Sequence, residues 1–247
     1  MPNKTTCYYD DTAINYDILH GGDQDLEHIR ALERGWPLIS SLAPNSIADI
    51  GCGTGRSMQW VHAFQPSIEL IGVDPSQSLL DIASKRLPSA KLKIGQGEKL
   101  PLPDNSVDIC LATGIMHHVD HPALVIGEMF RVARKAVLIS DHNNFAFGST
   151  FARKIRLILY TLGLLKVATF VKQGFKRQGY SAEDGWWYPY SLFENHVDIS
   201  KHSEVQYIIP TREVNSTSIG NILLIQSHFA VLAIKTASEQ RRMDAQV

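Results

Sequence analysis

The 247-residue sequence lacks three features that would separate it from ordinary globular proteins. It has no uninterrupted apolar run near the roughly 20 residues that a membrane-spanning helix needs. Its first residues, MPNKTTCYYDD, contain no apolar stretch of the kind found in secretory signals. Its three cysteines, Cys7, Cys52 and Cys110, have no metal-ligand spacing. We therefore expect a cytoplasmic protein whose thiols are reduced.

An excess of one charge is also absent. The sequence has 24 Lys and Arg against 25 Asp and Glu, a formal net charge of -1. Such a balance provides no general field to gather nucleic acid, which argues against a DNA substrate. The 44% hydrophobic and 20% charged residues are typical of a globular chain rather than a disordered one.

Residues 45–142 alternate between apolar runs and helical patterns. Strands are expected at 46–50, 69–74, 91–95, 107–112 and 136–141, with helices at 56–64 and 122–132 among the connections. This alternation predicts a parallel α/β sheet, and strands so apolar require helices on both faces.

The flanking segments have different patterns. Residues 1–44 are expected to form a helical segment that Pro37 breaks in two. Residues 143–202 are too long for a bare connection, so they are expected to form a cap that recognises substrate. Residues 203–247 are expected to hold two late strands, at 205–210 and 229–235, and a C-terminal tail.

Three glycines, Gly51, Gly53 and Gly55, follow the first predicted strand. Their G-x-G-x-G spacing differs from the G-x-G-x-x-G that holds a pyrophosphate at a helix N-terminus. Asp49, just before the glycines, would bring a negative charge towards any phosphate. The loop therefore favours a ligand that carries an ammonium or sulfonium group.

The ends of the next two predicted strands carry polar groups that could bind a nucleoside. Asp74 ends the second strand, where a carboxylate can accept both ribose hydroxyls. The alternative is that Asp74 is a helix cap beside Pro75. Gln96, in the segment 95–98 after the third strand, lies where the edge of an adenine would be placed.

These segments resemble the class I S-adenosylmethionine-dependent methyltransferases, particularly the ubiquinone and menaquinone biosynthesis group. The resemblance covers residues 8–141 and 229–235. Tyr9-Asp10 and Tyr16-Asp17 resemble the segment with which that group closes over its cofactor, and 116–119 resembles its L-H-H-V motif. The sequence departs from the group at Gln96, where an Asp is usual. The amide oxygen of Gln96 can replace the carboxylate as acceptor.

The resemblance implies a Rossmann-like, doubly wound α/β fold. Its sheet has seven strands with the last one antiparallel, and a cap is inserted after strand five. S-adenosyl-L-methionine is the implied cofactor, with the glycines at its methionine part, Asp74 at its ribose and Gln96 at its adenine side. Thr113 and His117 are placed near the transferable methyl group. The full set of implied cofactor residues is Tyr9, Tyr16, Asp49, Gly51, Cys52, Gly53, Gly55, Asp74, Pro75, Ser76, Gln96, Gly97, Glu98, Thr113 and His117.

His142, after the fifth strand, is our candidate for a catalytic base, and the alternative is an orienting or structural histidine. His117 and His118 are interpreted as packing in the cofactor loop. Asp141 with a neighbouring Asn would offer oxygen ligands to a divalent ion. Because strand four ends without a carboxylate, no metal is expected. The same segment lacks the N-P-P-aromatic pattern of nucleobase methyltransferases, which further opposes a DNA substrate.

Residues 151–177 contain seven basic residues, no acidic residue and many Leu and Ile. One interpretation is a peripheral contact with the inner membrane face, or with a lipid-linked anionic acceptor. The other is a lid helix whose apolar side packs on the sheet. The aromatic residues at 185–190 are expected in a loop that binds a ring, sugar or isoprenoid, or else in the cap core.

Three functions follow in order of preference. The first is methyl transfer to a small-molecule or lipid-linked acceptor, a sugar or glycan intermediate before a quinone-like metabolite. The second is an RNA or protein methyltransferase. The third is a non-catalytic S-adenosylmethionine-binding partner protein.

Overall fold

A computed structural model describes residues 4–19, 23–213 and 221–236. Its main feature is a seven-stranded sheet, with strands in the order β3-β2-β1-β4-β5-β9-β8. These strands are β1 (Ser46–Ile50), β2 (Glu69–Asp74), β3 (Lys91–Ile94), β4 (Val107–Thr113), β5 (Ala133–His142), β8 (Ser203–Pro210) and β9 (His228–Lys235). The first five are parallel, and β9 runs antiparallel to both β5 and β8. The predicted fold class, with its antiparallel last strand, is confirmed.

Helices cover both faces of the sheet. One face packs against α3 (Asp23–Ser41), α4 (Arg56–Phe64) and α5 (Gln77–Arg86). The other packs against α6 (Pro122–Val132) and α9 (His196–His202). Every residue of β1 is buried, as are the first six of β4. An apolar core on each face therefore holds the sheet in place. The polar residues at the ends of its strands lie outside these cores and can contribute to a binding site.

Local signals set several helix boundaries. The Oγ of Ser76 accepts a hydrogen bond from the backbone N–H of Leu79, 3.2 Å away, and so caps α5. Pro122 lies in the first turn of α6, where its missing N–H costs no helical hydrogen bond. The expected break at Pro37 is wrong, because α3 continues through it to Ser41. Burial of Leu32 and Ile39 against the sheet, on either side of the proline, outweighs its local cost.

The segment after β5 leaves the sheet and returns to it. It contains α7 (Thr150–Thr161), α8 (Leu165–Lys172) and a hairpin of β6 (Gly179–Ser181) and β7 (Gly185–Trp187), before α9 packs on α6. The aromatic segment at 185–190, expected as a loop, thus begins as a strand. Its pairing partner at 179–181 has no alternating apolar pattern, which is why the sequence did not reveal it.

The hairpin meets the N-terminal helix α1 (Lys4–Thr12), and a second short helix, α2 (Tyr16–Leu19), follows α1 in the chain. The phenol of Tyr8 donates to the carbonyl of Ala182, with 2.9 Å between the oxygens. A short helix, α10 (Asn221–Leu224), contacts α7. The C-terminal tail expected from residue 237 onward lies outside the described residues. Within the described part of the chain, no helix is long and apolar enough to cross a bilayer.

Candidate active site

The glycine turn between β1 and α4 has a backbone that side chains would disturb. Gly51 and Gly53 have φ angles of 68° and 52°, in the left-handed region that glycine adopts without strain. A Cβ atom on Gly51 would lie 2.4 Å from Cγ2 of Ile115. The turn is therefore closely packed on one side, while its other side faces the strand ends.

Asp74 joins the ends of β1 and β2. One of its carboxylate oxygens accepts the backbone N–H of Gly53 and the other accepts that of Ser76, each at 2.9 Å. Burial raises the pKa of Asp74 to about 6, although these two hydrogen bonds act in the opposite direction. The cap of α5 is Ser76 and not Asp74, so Asp74 keeps its remaining lone pairs for a ligand at the strand ends.

A cavity of about 120 Å³ lies at the carboxyl ends of the first four strands. Its walls bring together most of the residues that the resemblance assigned to the cofactor, namely Tyr9, Tyr16, Gly51, Gly53, Asp74, Pro75, Gln96, Gly97, Glu98 and Thr113. Residues far apart in the chain thus surround one space next to Asp74. This arrangement fits a ligand with a ribose and an adenine-like ring.

The N-terminal helices are tied to this edge of the sheet by two carboxylates. Asp10 accepts a hydrogen bond from the Oγ of Ser76 at 2.6 Å. Asp17 accepts one from the Oγ1 of Thr54 at 2.7 Å and forms an ion pair with Arg86. Tyr9 and Tyr16 are held between these anchors, with their rings 5.9 Å apart. The two tyrosines therefore form a wall over the strand ends.

A second, larger cavity of about 560 Å³ adjoins the first. The two share the lining residues Tyr9, Tyr16, Gly51, Thr113, Gly114 and His118. Cys52, His117 and His142 line only the larger one. Its remaining wall is mostly polar and includes Glu27, His28, Arg56, Asp184 and Arg212. Two ligands, one bound in each cavity, would approach each other near Thr113.

His142 lies at the end of β5 with its ring facing this larger cavity. Its Nδ1 is 3.6 Å from the carboxylate of Asp141, which is too long for a hydrogen bond. Burial, together with the neighbouring His117, lowers the pKa of His142 to about 4. The imidazole is therefore neutral at neutral pH and has a nitrogen lone pair available to accept a proton.

Asp141 organises the turn that follows β4. Its fully buried carboxylate accepts the backbone N–H groups of Met116 and His142, at 2.8 and 2.6 Å, and lies 2.8 Å from Nδ1 of His117. Burial alone would lower the pKa of His117, but the carboxylates of Asp141 and Asp184 raise it well above its usual value. His117 therefore interacts electrostatically with two carboxylates, whereas the sequence had suggested only a packing role in the cofactor loop.

The neighbouring asparagine has a structural role. The side-chain N–H groups of Asn143 donate to carbonyls of Ile222, Leu223 and Gln226, and its Oδ1 accepts from Phe145 and Ser191. These contacts leave no capacity for a metal ion, so the Asp141–Asn143 pair considered in the sequence does not form an oxygen-ligand site.

Three implied cofactor residues lie behind the cavities rather than in their walls. Gly55 begins α4, and Ser76 caps α5. Asp49 is 1% exposed, and neither of its carboxylate oxygens has a hydrogen-bond partner among the described residues. Burial, and secondarily Asp74, raise the pKa of Asp49 to about 8. This buried carboxyl group therefore lies next to the glycine turn without a hydrogen-bond partner in the part of the chain that the structure describes.

The sequence did not reveal several residues of the larger cavity. Asp184 comes from the turn of the hairpin, while Glu27 and His28 come from α3. Glu27 is buried and paired with Arg212, and the rings of His28 and His228 are 4.7 Å apart. Each of these contacts joins segments more than 60 residues apart in the sequence, so no local pattern of residues predicts it.

The raised pKa of Asp49 predicts a pH effect on stability. The native carboxyl group holds its proton up to about pH 8, whereas the unfolded one releases it near pH 3.9. The stability of the wild type therefore falls as pH rises from about 4 to 8. Asp49→Asn removes this loss, so its stability relative to wild type should increase by several kcal/mol over that range, at about 1.4 kcal/mol per pKa unit.

Urea unfolding of the cofactor-free proteins at pH 5, 7 and 9 measures this difference. Because Asp74 also has a raised pKa, part of the pH dependence should remain in the variant. If the two proteins lose stability in parallel across the three pH values, Asp49 is ionised in the native state and the expectation is wrong.

Comparison with known proteins agrees with this geometry. Residues 48–139, which run from β1 to β5 and include the glycine turn and Asp74, match the methyltransferase domain family. The central part of the chain is thus similar to a methyltransferase domain. The chain is also 35% identical over 114 residues to an uncharacterized methyltransferase of Mycobacterium tuberculosis, covering 43% of this chain and 46% of that protein.

Two further comparisons extend beyond the methyltransferase domain. A demethylmenaquinone methyltransferase of Thermotoga maritima is 30% identical over 128 residues, covering 51% of this chain and 56% of that protein. A solved S-adenosylmethionine-dependent methyltransferase structure from the same organism superposes with a TM-score of 0.58 at 18% identity, covering 93% of this chain and 99% of the other. The structural likeness shows the fold. The chain spans about half the length of the curated relatives that it matches.

Proposed function

We propose that the protein is an S-adenosylmethionine-dependent methyltransferase that acts on a small-molecule or lipid-linked acceptor. The observation that carries this proposal is the pair of adjoining cavities. The smaller one lies beside Asp74 and the larger, polar one contains His142, and both are lined by Thr113 and Gly114. A nucleoside cofactor in the first would present its reactive end to an acceptor in the second.

The residues present fit this cofactor. The glycine turn allows close backbone approach, and Asp74 has lone pairs left for the ribose hydroxyls. The buried carboxyl group of Asp49, which has no hydrogen-bond partner among the described residues, would ionise beside a ligand that carries positive charge. Gln96 and Glu98 would hold the adenine side. When bound, the cofactor supplies a methyl group activated by its sulfonium.

The protein's own contribution is alignment and control of one proton. Holding two reactants in line supplies roughly 7–11 kcal/mol of barrier reduction. Tyr9 and Tyr16, fixed through Asp10 and Asp17, cover the junction of the two cavities and exclude water. His142 faces the larger cavity as a neutral imidazole and would accept the proton of an acceptor hydroxyl.

The lining of the larger cavity favours a polar acceptor. Arg56, Arg212 and Asp184 offer donors and acceptors for a ring with several oxygens. We therefore place a sugar or glycan intermediate first and a quinone-like metabolite second. The sequence similarity to a demethylmenaquinone methyltransferase supports the second acceptor class.

The surface of α7 supports a lipid-linked acceptor. Phe151, Ile155, Ile158 and Leu162 form one stripe along the helix and are 75%, 39%, 57% and 63% exposed. None of the residues of α7 is buried, which favours this interpretation over a lid helix whose apolar side packs on the sheet.

Two arginines hold this stripe outward. Arg153 donates to the carbonyls of Gly148 and Leu224, and Arg156 donates to that of Asn144. The other basic groups of the segment, Lys154, Lys166, Lys172, Lys176 and Arg177, are exposed. An apolar stripe flanked by exposed cations complements an anionic lipid surface, so we propose peripheral contact with the inner membrane face.

Binding to vesicles tests this contact. We expect the protein to float with vesicles of equal phosphatidylglycerol and phosphatidylcholine, and to be released by high salt because exposed charges are screened. Phe151→Ser and Leu162→Ser should each weaken binding roughly tenfold or more, since burying such a side chain is worth about 1.5–3 kcal/mol. Leu124→Ser is the matched control, because Leu124 is 55% exposed on α6, outside this segment. Equal flotation of all four proteins would refute the proposed contact.

The function itself is tested with a trideuteromethyl-labelled cofactor. The purified protein is incubated with separate lipid and aqueous extracts from its host strain lacking the gene, and mass spectrometry locates the label. Label in the lipid fraction supports a lipid-linked acceptor, and label in the aqueous fraction supports a soluble one. Cofactor binding without labelling of any small molecule in either extract would contradict the proposed function.

A further inference from the structure

Two histidines and a carboxylate converge at the edge of the larger cavity. His117 and His118 lie in the single turn Met116–His118 that follows β4, and Asp184 lies in the turn between β6 and β7. The Nε2 atoms of His117 and His118 are 3.5 and 3.3 Å from the two carboxylate oxygens of Asp184. All three ligand atoms lie within 4.8 Å of one another.

The outer nitrogen of each histidine is fixed by a different acceptor. Nδ1 of His118 is 2.8 Å from the carbonyl oxygen of Trp186, which only accepts hydrogen bonds. Nδ1 of His117 is 2.8 Å from the carboxylate of Asp141. Both Nδ1 atoms therefore carry hydrogen, and each ring turns its Nε2 towards Asp184. Carboxylate and carbonyl partners of this kind orient histidines that bind metals.

One of these nitrogens lacks a partner. His117 is 4% exposed, and its Nε2 has no hydrogen-bond partner among the residues that the structure describes. Nε2 of His118 lies 3.0 Å from the phenol oxygen of Tyr9, a hydrogen bond that it would exchange for a metal bond. Nε2 of His117 is thus buried beside a carboxylate, where a metal ion would take the place of its proton.

The separations match those around a small ion. Zinc binds imidazole nitrogen at about 2.0–2.1 Å and carboxylate oxygen at about 2.0–2.2 Å, so two ligands at tetrahedral positions lie about 3.3–3.4 Å apart. Nε2 of His117 lies 3.5 Å from Oδ2 of Asp184 and Nε2 of His118 lies 3.3 Å from Oδ1, so each nitrogen has one carboxylate oxygen near this separation.

We propose that His117, His118 and Asp184 bind one divalent transition-metal ion, such as Zn²⁺, with its remaining position facing the larger cavity. Imidazole suits such ions, and two histidines with one carboxylate are a known catalytic set. The proposal departs from the expectation of no metal. That expectation considered only carboxylates at the strand ends, whereas Asp184 is brought in by the hairpin.

A competing group of His117, Asp141 and His142 is a weaker metal site. The carboxylate of Asp141 already accepts two backbone N–H groups at 2.8 and 2.6 Å, so it orients His117 rather than taking the ion. The position of His142 remains that of a base beside the ion.

The role of the ion rests on the proposed function. An acceptor hydroxyl at the position facing the cavity becomes more acidic, because the cation stabilises the oxygen as its proton leaves for His142. The oxygen then forms a bond to the methyl carbon, and the carbon–sulfur bond breaks with its electron pair remaining on sulfur. A polar acceptor with a hydroxyl group is therefore favoured.

Metal binding is measured without cofactor or acceptor, so that it is independent of methyl transfer. The full-length protein is stripped with a chelator and titrated with Co²⁺ and then Zn²⁺. We expect one equivalent of Co²⁺ with the visible absorption of a four-coordinate site, displaced by Zn²⁺. Asp184→Asn should lower affinity by about 100-fold, and Asp141→Asn by about 10–100-fold, as for other outer partners. Glu183→Gln is the matched control, since Glu183 is an exposed carboxylate on the same turn and is not one of the proposed ligands.

Two results would overturn the site. One is the absence of stoichiometric Co²⁺ or Zn²⁺ binding by the folded protein, in which case His117 is an imidazolium held between Asp141 and Asp184. The other is equal affinity in Asp184→Asn and Glu183→Gln. Stoichiometric binding without methyl transfer to any extract leaves the site supported and the proposed function contradicted. Full-rate methyl transfer by the stripped protein overturns the role of the ion in activating the acceptor.

Discussion

Asp74→Asn is expected to lower the affinity for S-adenosylmethionine roughly 100-fold or more. The proposed contacts of Asp74 with the ribose are hydrogen bonds to a charged acceptor, worth about 1.5–3 kcal/mol each. The substitution also puts an amide N–H₂ against the backbone N–H of either Gly53 or Ser76, which now donate to the two carboxylate oxygens. In either orientation of the amide, one of these two hydrogen bonds is lost. Calorimetric titration with S-adenosylmethionine or its demethylated product measures the loss.

Asp81→Asn is the matched control for this variant. Asp81 is an exposed carboxylate on α5 that accepts a hydrogen bond from Gln77, and it does not line the smaller cavity. Its replacement should leave the affinity within about twofold of wild type, since surface changes are worth less than about 0.5 kcal/mol. Wild-type affinity in a folded Asp74→Asn protein would remove Asp74 from the ribose site.

Gly51→Ala is expected to destabilise the protein and to prevent tight cofactor binding. A left-handed φ costs a non-glycine residue roughly 1–2 kcal/mol, and overpacking costs roughly 1–3 kcal/mol more. The second cost applies because the new methyl group would lie 2.4 Å from Cγ2 of Ile115. For a chain of this size the sum corresponds to a fall in Tm of roughly 5–15 °C, which a thermal melt followed by circular dichroism detects.

Two further proteins separate the causes. Ile115→Ala in the Gly51→Ala background should recover the stability that overpacking costs. The stability lost through the left-handed backbone should not return. Gly127→Ala is the matched control, because Gly127 lies within α6 and a Cβ there would meet nothing within 4 Å. Alanine at that position should raise stability by up to about 1 kcal/mol. A Tm for Gly51→Ala equal to that of wild type would show that the turn tolerates side chains.

The sheet could be predicted from the sequence because its information is local. Apolar runs ending at Asp49-Ile50 and Val73-Asp74, with Ser76 to start the next helix, specify strand, turn and helix within a few residues. The motifs at these ends identified the domain type, which the family match confirms. Pro37 misled because its local cost was weighed without the burial of the helix around it.

The rest of the site depends on contacts between distant segments. Asp184 meets His117 and His118 only because the hairpin folds back over β4, some 66 residues earlier in the chain. Likewise, the pattern of α7 gives a helix with one apolar side, but the direction of that side depends on Arg153 reaching the carbonyl of Leu224. The periodicity of the sequence predicts neither the contacts of Asp184 with the two histidines nor the hydrogen bond from Arg153 to Leu224.

The wall formed by Tyr9 and Tyr16 has a kinetic consequence. Because both rings border the two cavities at once, displacing the N-terminal helices uncovers both ligands together. Release of the methylated product and replacement of the spent nucleoside would then pass over one common barrier. Under the proposed function, breaking the contacts of Asp10 and Asp17 would set the height of this barrier, so residues outside both cavities would govern the rate of ligand exchange.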